Sequence, residues 1–144
     1  GQTPENVIND YYESILENLK TCRNFDVYGH LDYIARYIPD KSYIYYYSHF
    51  SGIIDKILKC IIELGKGIEI NTAGLRTHLS STNPCAEVIA RYRRLGGEII
   101  TVGSDAHESR HIASGFNTAY EILQASGFRY YTVFKERVPK FIKL

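Results

Sequence analysis

The sequence predicts an α/β fold in which parallel strands alternate with crossover helices. Short apolar runs and segments with apolar residues at helical spacing alternate four times, and no repeat or low-complexity segment interrupts them. Glycines follow three of the predicted helices, as is common at helix ends. A closed barrel of this type needs about 250 residues. We therefore expect the 144 residues to form a single partial domain, half of a TIM-like barrel with about four parallel strands.

The helices are predicted from apolar spacing and from their start and stop signals. Thr3-Pro4-Glu5 is typical of a helix start, because proline is tolerated in the first turn. Pro39 ends a short predicted helical segment, because proline lacks the backbone N–H that a continuing helix would need. The predicted helices span residues 4–21, 31–38, 53–64, 84–95 and 115–125.

The strands are predicted from short β-branched and aromatic runs between these helices. They span residues 25–28, 68–71, 98–102 and 129–134. The aromatic segment 43–50 is ambiguous between strand and helix, and the apolar tail 138–144 is expected to pair or pack.

Bulk composition excludes several functional classes. Seventeen basic and sixteen acidic residues give a net charge of +1, which offers no field for binding nucleic acid. No apolar stretch reaches the roughly 20 residues of a membrane span. Three cysteines are too far apart for a zinc knuckle and indicate reduced thiols in a cytoplasmic protein. Because the sequence has no methionine, we expect it to be part of a longer polypeptide.

Polar residues follow three successive strands, where parallel α/β folds carry their active sites. His30 follows the first strand, Asn71 and Arg76 follow the second, and Asp105 follows the third. We expect these side chains to share one rim. His49, His78 and His111 do not follow a strand directly, and we interpret them as structural or surface residues.

Asp105 and His107 are the first candidate metal ligands. In an extended segment alternate residues point the same way, so both side chains could reach one metal, and Gly103 would let the backbone turn. Carboxylate and imidazole together suit zinc, manganese or iron. The alternative is that Asp105 caps a helix and His107 is a surface residue.

His30 is the next candidate ligand, in Gly29-His30-Leu31-Asp32. Asp32 could orient its imidazole, as ligating histidines usually require, or could cap the following helix. Arg76 could bind a phosphate through two N–H groups or be an ordinary solvated arginine. Glu69 and Asn71 could line the pocket or only complete the strand's hydrogen bonding.

Three blocks together resemble the histidinol-phosphatase branch of the PHP (polymerase and histidinol phosphatase) superfamily. They are Gly29-His30-Leu31-Asp32, Glu69-Ile70-Asn71-Thr72-Ala73-Gly74-Leu75-Arg76 and Gly103-Ser104-Asp105-Ala106-His107. The resemblance covers essentially the whole chain and implies a (β/α)7 barrel with up to three divalent metals that hydrolyses L-histidinol phosphate in histidine biosynthesis. It implies that His30, Asp105 and His107 are metal ligands, with Asp105 and His107 catalytic, and that Arg76 and Asn71 contact the substrate.

The same resemblance implies that the chain is the C-terminal part of such a barrel. The family's His-x-His motif and further ligands would precede residue 1, so we expect metal sites that are partial or empty and little activity in this chain alone. Two alternatives remain. One is a phosphoesterase or exonuclease acting on another phosphate ester, and the other is a non-catalytic module that self-associates through its exposed barrel half.

Overall fold

The computed structural model describes residues 2–144. Four helices alternate with three short strands, and a two-stranded hairpin follows. The helices are α1 (Pro4–Thr21), α2 (Tyr47–Glu63), α3 (Ala86–Arg94) and α4 (Phe116–Ala125), and the strands are β1 (Val27–Tyr28), β2 (Gly67–Asn71), β3 (Ile100–Gly103), β4 (Tyr130–Lys135) and β5 (Val138–Lys143). Short 3-10 helices span Tyr33–Tyr37, Ala73–Arg76 and Ser109–His111.

The helix boundaries follow the local chemistry of the sequence. Thr3 is the N-cap of α1, where its side-chain oxygen accepts a hydrogen bond from the Asn6 amide. Gly65 and Gly96, just beyond the ends of α2 and α3, have φ values of 68° and 100°, a conformation that glycine adopts without strain. The ambiguous aromatic segment 43–50 is helical only in its second half. Helix α2 begins at Tyr47, earlier than the predicted start at residue 53.

Strands β1, β2 and β3 form a parallel sheet in that order. Tyr28 pairs with Ile68, Ile68 with Ile100, and Asn71 with Gly103. Because the strands are parallel and adjacent, the loops that follow them leave from the same edge of the sheet.

The prediction of about four parallel strands is wrong for residues 129–134. Strand β4 pairs antiparallel with β5, formed by the apolar tail, and it contacts β3 through a side chain, since the Ile100 amide donates to Thr132 Oγ1 at 3.2 Å. Glu136 and Arg137 connect the hairpin with φ values of 52° and 63°. Positive φ at both turn residues matches the twist of a tight hairpin, and this geometry draws the tail back along β4.

The two faces of the parallel sheet differ sharply in composition. One face packs its isoleucines against the helices, where Ile68, Ile70 and Ile100 are fully buried. Burial of such side chains contributes about 1.5–3 kcal/mol each. The opposite face consists of small and polar residues with one valine, namely Val27, Gly67, Glu69, Asn71, Thr101 and Gly103. The helices thus cover one side of the sheet, and polar chemistry lies on the other.

Helices α1 and α2 supply much of the core behind this sheet. Ile8, Tyr12, Ile15 and Leu19 recur at helical spacing along the buried side of α1. Tyr12 packs against Phe50 of α2, with ring centroids 5.9 Å apart, and its hydroxyl is 2.7 Å from that of Tyr45. Across residues 2–144, no helix combines the length and apolar character needed to cross a bilayer.

Candidate metal and phosphate site

The Glu69 carboxylate lies at the centre of the polar face. Its Oε2 atom accepts hydrogen bonds from the His30 amide and from Asn71 Nδ2, both at 3.3 Å. Glu69, His30, Asn71, Thr101 and Asp105 all line one open cavity. Glu69 therefore lines the pocket, and its carboxylate joins the Gly29–Asp32 block to its own block, Glu69–Arg76.

His30 projects from the loop after β1 with an unpaired ring nitrogen. Its Nδ1 atom is buried and has no hydrogen-bond partner within the described part of the chain. Its backbone has φ 34°, which is uncommon for a residue with a side chain. The imidazole packs against Tyr33, with ring centroids 4.4 Å apart. A buried nitrogen without a partner is costly, so this atom is suited to a ligand.

Asp32 does neither of the two things considered for it from sequence. It makes no side-chain cap to its own short helix, and its oxygens accept from Asn83 Nδ2 at 2.6 Å and from the Cys85 amide at 2.8 Å. Cys85 is the N-cap residue of α3, so Asp32 joins the β1 loop to the start of α3. Burial raises the pKa of the Asp32 carboxyl to about 6, although these hydrogen bonds partly offset the rise.

The Asn71 side chain is likewise engaged in hydrogen bonds within the chain. It is buried, its Oδ1 accepts from the Ala73 amide at 2.9 Å, and its backbone pairs with that of Asn83. Its side chain therefore shapes the turn after β2 and holds Glu69. Its predicted contact with a substrate stays a prediction.

Asp105 and His107 lie close together, but not in the extended geometry expected from sequence. Asp105 has φ 47°, so the loop turns there and not at Gly103, which completes β3. His107 Nδ1 is 3.0 Å from the Asp105 carbonyl oxygen and 3.9 Å from its carboxylate, and the imidazole is exposed. The two side chains are adjacent because the chain bends, not because alternate residues of a strand share a side.

Arg76 connects the second loop to the third. Its Nη2 donates to the Ser104 carbonyl oxygen at 2.8 Å and more weakly to that of Asp105 at 3.4 Å. Its Nη1 is buried and has no partner among residues 2–144. The guanidinium is held by the backbone, yet it keeps N–H groups available for an anion.

Sequence reasoning missed residues that line a second cavity beside Arg76. Tyr33, Arg36 and His111 lie there together with Asp105 and His107. Arg36 donates to the Tyr33 hydroxyl at 3.3 Å. Arg36 lies three residues after Tyr33 in the short helix that follows His30. This spacing places both side chains on the same side of a 3-10 helix. His111 was excluded because no strand precedes it directly, but the short helix Ser109–His111 carries it to the cavity.

The residues fit part of a metal site. A buried imidazole nitrogen without a partner and nearby carboxylates are suitable donors for zinc or manganese. Within the described residues, however, no three His, Cys, Asp or Glu side chains lie close enough to hold one ion.

Comparison with known proteins shows the family to which this chain belongs. The model of the PHP domain matches residues 1–73, half of the chain, and the chain belongs to this family. It is 36% identical over 130 residues to the probable histidinol-phosphatase of Thermotoga maritima, a match covering 90% of this chain and 53% of that protein. It is 31% identical over 131 residues to the probable histidinol-phosphatase of Clostridium acetobutylicum, covering 91% of this chain and 51% of that protein.

A solved structure agrees with these relatives. The crystal structure of histidinol phosphate phosphatase from Lactococcus lactis, complexed with zinc, L-histidinol and phosphate, superposes with a TM-score of 0.81 at 26% identity. The match covers 96% of this chain and 52% of that one. The chain thus spans about half the length of the relatives it matches.

Proposed function

We propose that this chain is part of a metal-dependent phosphomonoester hydrolase that converts L-histidinol phosphate and water to L-histidinol and phosphate. The supporting observation is a pair of buried nitrogens, His30 Nδ1 and Arg76 Nη1, that have no hydrogen-bond partner among the described residues 2–144. They lie on loops that leave the same edge of the parallel sheet. One nitrogen suits a metal and the other suits an anion, which is the combination that a phosphate ester needs.

The phosphate end of the substrate would lie beside Arg76. Its guanidinium is fixed through Nη2, so binding an anion through Nη1 loses little side-chain freedom. Arg36 lines the same cavity and adds a second positive charge. This local positive charge matters because the net charge of the whole chain, only +1, would not by itself attract a phosphate.

The metal would be held by His30, Asp105 and His107 together with ligands that this chain does not provide. When bound, divalent metals polarise phosphoryl oxygens and supply a nucleophilic hydroxide. Within this chain, Arg76 and Arg36 would orient the ester through its phosphate. Since no three such side chains converge within residues 2–144, we expect the chain alone to bind zinc weakly.

The fold supports the same proposal. The small and polar face of the sheet, which the helices leave open, would form the interior of a (β/α)7 barrel. The chain's 52% coverage of the Lactococcus lactis structure agrees with about half of such a barrel. The remaining strands and ligands would then come from sequence outside residues 1–144.

Phosphate release by the intact protein that contains this chain tests the proposal. We expect release from L-histidinol phosphate but not from a single-stranded oligonucleotide, its loss with a chelator, and recovery with zinc or manganese. Arg76→Ala should raise KM by about tenfold or more, because a charge-assisted hydrogen bond contributes about 1.5–3 kcal/mol. The control is Arg94→Ala, an exposed arginine on α3. Hydrolysis of the oligonucleotide alone, or equal KM values for both variants, would contradict the proposal.

A further inference from the structure

Glu69 occupies an unusual place in the parallel sheet. It lies in the central strand β2, pairs with Thr101 of β3, and points to the side opposite the buried isoleucines. A glutamate in the middle of a sheet is uncommon, because strands favour β-branched and aromatic residues. Its presence therefore calls for a specific contact.

That contact is with His30, one of the candidate metal ligands. Glu69 Oε2 accepts the His30 amide hydrogen at 3.3 Å. His30 has φ 34°, and its ring nitrogen Nδ1 is buried without a partner among residues 2–144. The carboxylate thus holds the backbone at the position where the chain turns and the imidazole leaves it.

Two glycines make room for the carboxylate. A Cβ atom at Gly103 would overlap Glu69 Oε1, and a Cβ at Gly29 would lie 3.3 Å from Oε2. We call the space between these glycines the Glu69 pocket. Neither glycine has the left-handed conformation that would itself require glycine. The space that they leave is filled by the carboxylate.

The carboxylate has no cation of its own within the described residues. None of the ion pairs there includes Glu69, and its two donors are the neutral His30 and Asn71 N–H groups. Its hydrogen bonds therefore tie the loop after β1 to the end of β2, and Gly103 of β3 confines the carboxylate. A residue that serves only to stabilise the sheet would not need space from both Gly103 of β3 and Gly29 in the loop after β1.

We propose that Glu69 is the positioning residue of His30, and that the Glu69 pocket fixes the direction in which the His30 imidazole leaves the sheet. The structural part of this inference depends only on the contacts above. Its catalytic consequence rests on the proposed function, in which His30 binds metal. Partners that orient a metal-binding histidine typically change metal affinity or activity by about 10–100-fold when they are removed.

The structural part is tested in this chain by nuclear magnetic resonance, without metal or substrate. Glu69→Ala should speed hydrogen exchange of the His30 amide by about tenfold or more and shift the imidazole resonances. Glu69→Gln keeps a carbonyl acceptor and should preserve both. Glu63→Ala, an exposed glutamate at the end of α2, is the matched control. Unchanged exchange in Glu69→Ala, or equal loss in Glu69→Gln, would overturn the inference.

A double-mutant cycle tests the Glu69 pocket separately. Gly103→Ala should lower the melting temperature in the wild-type background, and the loss should shrink by half or more in Glu69→Gly, where no carboxylate meets the new methyl group. Losses that simply add would refute the pocket. Should Glu69→Gly fail to fold, Gly103→Ala alone still decides, because an unchanged His30 amide exchange rate would show that the carboxylate was not held there.

The catalytic consequence is measured in the intact protein. Glu69→Ala should lower kcat by about tenfold or more with a smaller change in KM, and Glu69→Gln should restore most of the rate. If the wild type hydrolyses no phosphate ester, the proposed function fails while the resonance result still stands. If it is active and Glu69→Ala has a normal kcat, the positioning role fails alone.

Discussion

Asp32→Ala is a sharp test of the packing behind the site. The substitution removes the acceptor of two hydrogen bonds and leaves Asn83 Nδ2 and the Cys85 amide without their partner. Each unsatisfied buried donor costs about 1–3 kcal/mol. Asp40→Ala is a matched control, because Asp40 also accepts two hydrogen bonds, from Ser42, but is exposed.

The charge of Asp32 makes this cost depend on pH. Burial raises its pKa from 3.8 to about 6, so the stability that depends on the neutral acid is fully present below pH 3.8 and is lost as pH rises through 6. A shift of about two units corresponds to about 3 kcal/mol. Removing the carboxyl at pH 7.5 relieves this penalty. The two unsatisfied donors together cost about 2–6 kcal/mol, so at pH 7.5 the net destabilisation by Asp32→Ala is at most about 3 kcal/mol, and it is larger at pH 4.5.

Urea denaturation of the chelator-treated chain, followed by circular dichroism at pH 4.5, 6 and 7.5, measures this difference. Subtracting the variant from the wild type at each pH removes the titration of the other groups. A destabilisation that is smaller at pH 4.5 than at pH 7.5 would show that hydrogen bonding, and not burial, controls the pKa of Asp32. At pH 4.5, a cost as small as that of Asp40→Ala would refute the argument about buried donors.

Two further predictions concern the helix layer. Ile57→Ala, at a fully buried position on α2, should lower the free energy of unfolding by about 2–5 kcal/mol, whereas Ile112→Ala, at an exposed isoleucine, should change it by less than about 0.5 kcal/mol; urea denaturation of both variants checks the contrast. Arg91 pairs with Asp55 through two hydrogen bonds of 2.9 and 2.6 Å and lowers the pKa of that carboxyl. Its stabilisation should therefore be present above pH 4 and be lost progressively as the pH falls, so Arg91→Ala should cost about 1–2 kcal/mol at pH 7 and less at pH 3. An equal cost at both pH values would show that the charge of Asp55 does not matter.

The helices and the parallel sheet could be predicted because their signals are local. Thr3 and the glycines after α2 and α3 mark helix ends within a few residues, and short apolar runs mark the strands. The tail was expected to pair or pack, but its antiparallel hairpin with residues 129–134 was not predicted, for an equally local reason. Its turn residues, Glu136 and Arg137, adopt positive φ without the Asn-Gly or Gly-rich sequence that usually announces such a turn.

The site was predictable only as far as strand ends could be located. His30, Arg76, Asp105 and His107 were named because each lies on a loop that follows a strand, and the structure places them at one edge of the sheet. The role of Asp32 depends on Asn83, fifty-one residues away, and no local pattern reveals such a partner. The significance of Glu69 depends likewise on Gly29, in the loop after β1, and on Gly103 of β3.

The roles of Asp105 and His107 are the central claim, and the rate of phosphate release from L-histidinol phosphate by the intact protein tests it most directly. We predict that Asp105→Asn and His107→Ala each lower kcat/KM by about 100-fold or more while circular dichroism shows a retained fold. His49→Ala, an exposed histidine on α2, should leave the rate unchanged. Rates within a factor of about three of the wild type for both site variants would contradict the assignment of this loop to the metal site.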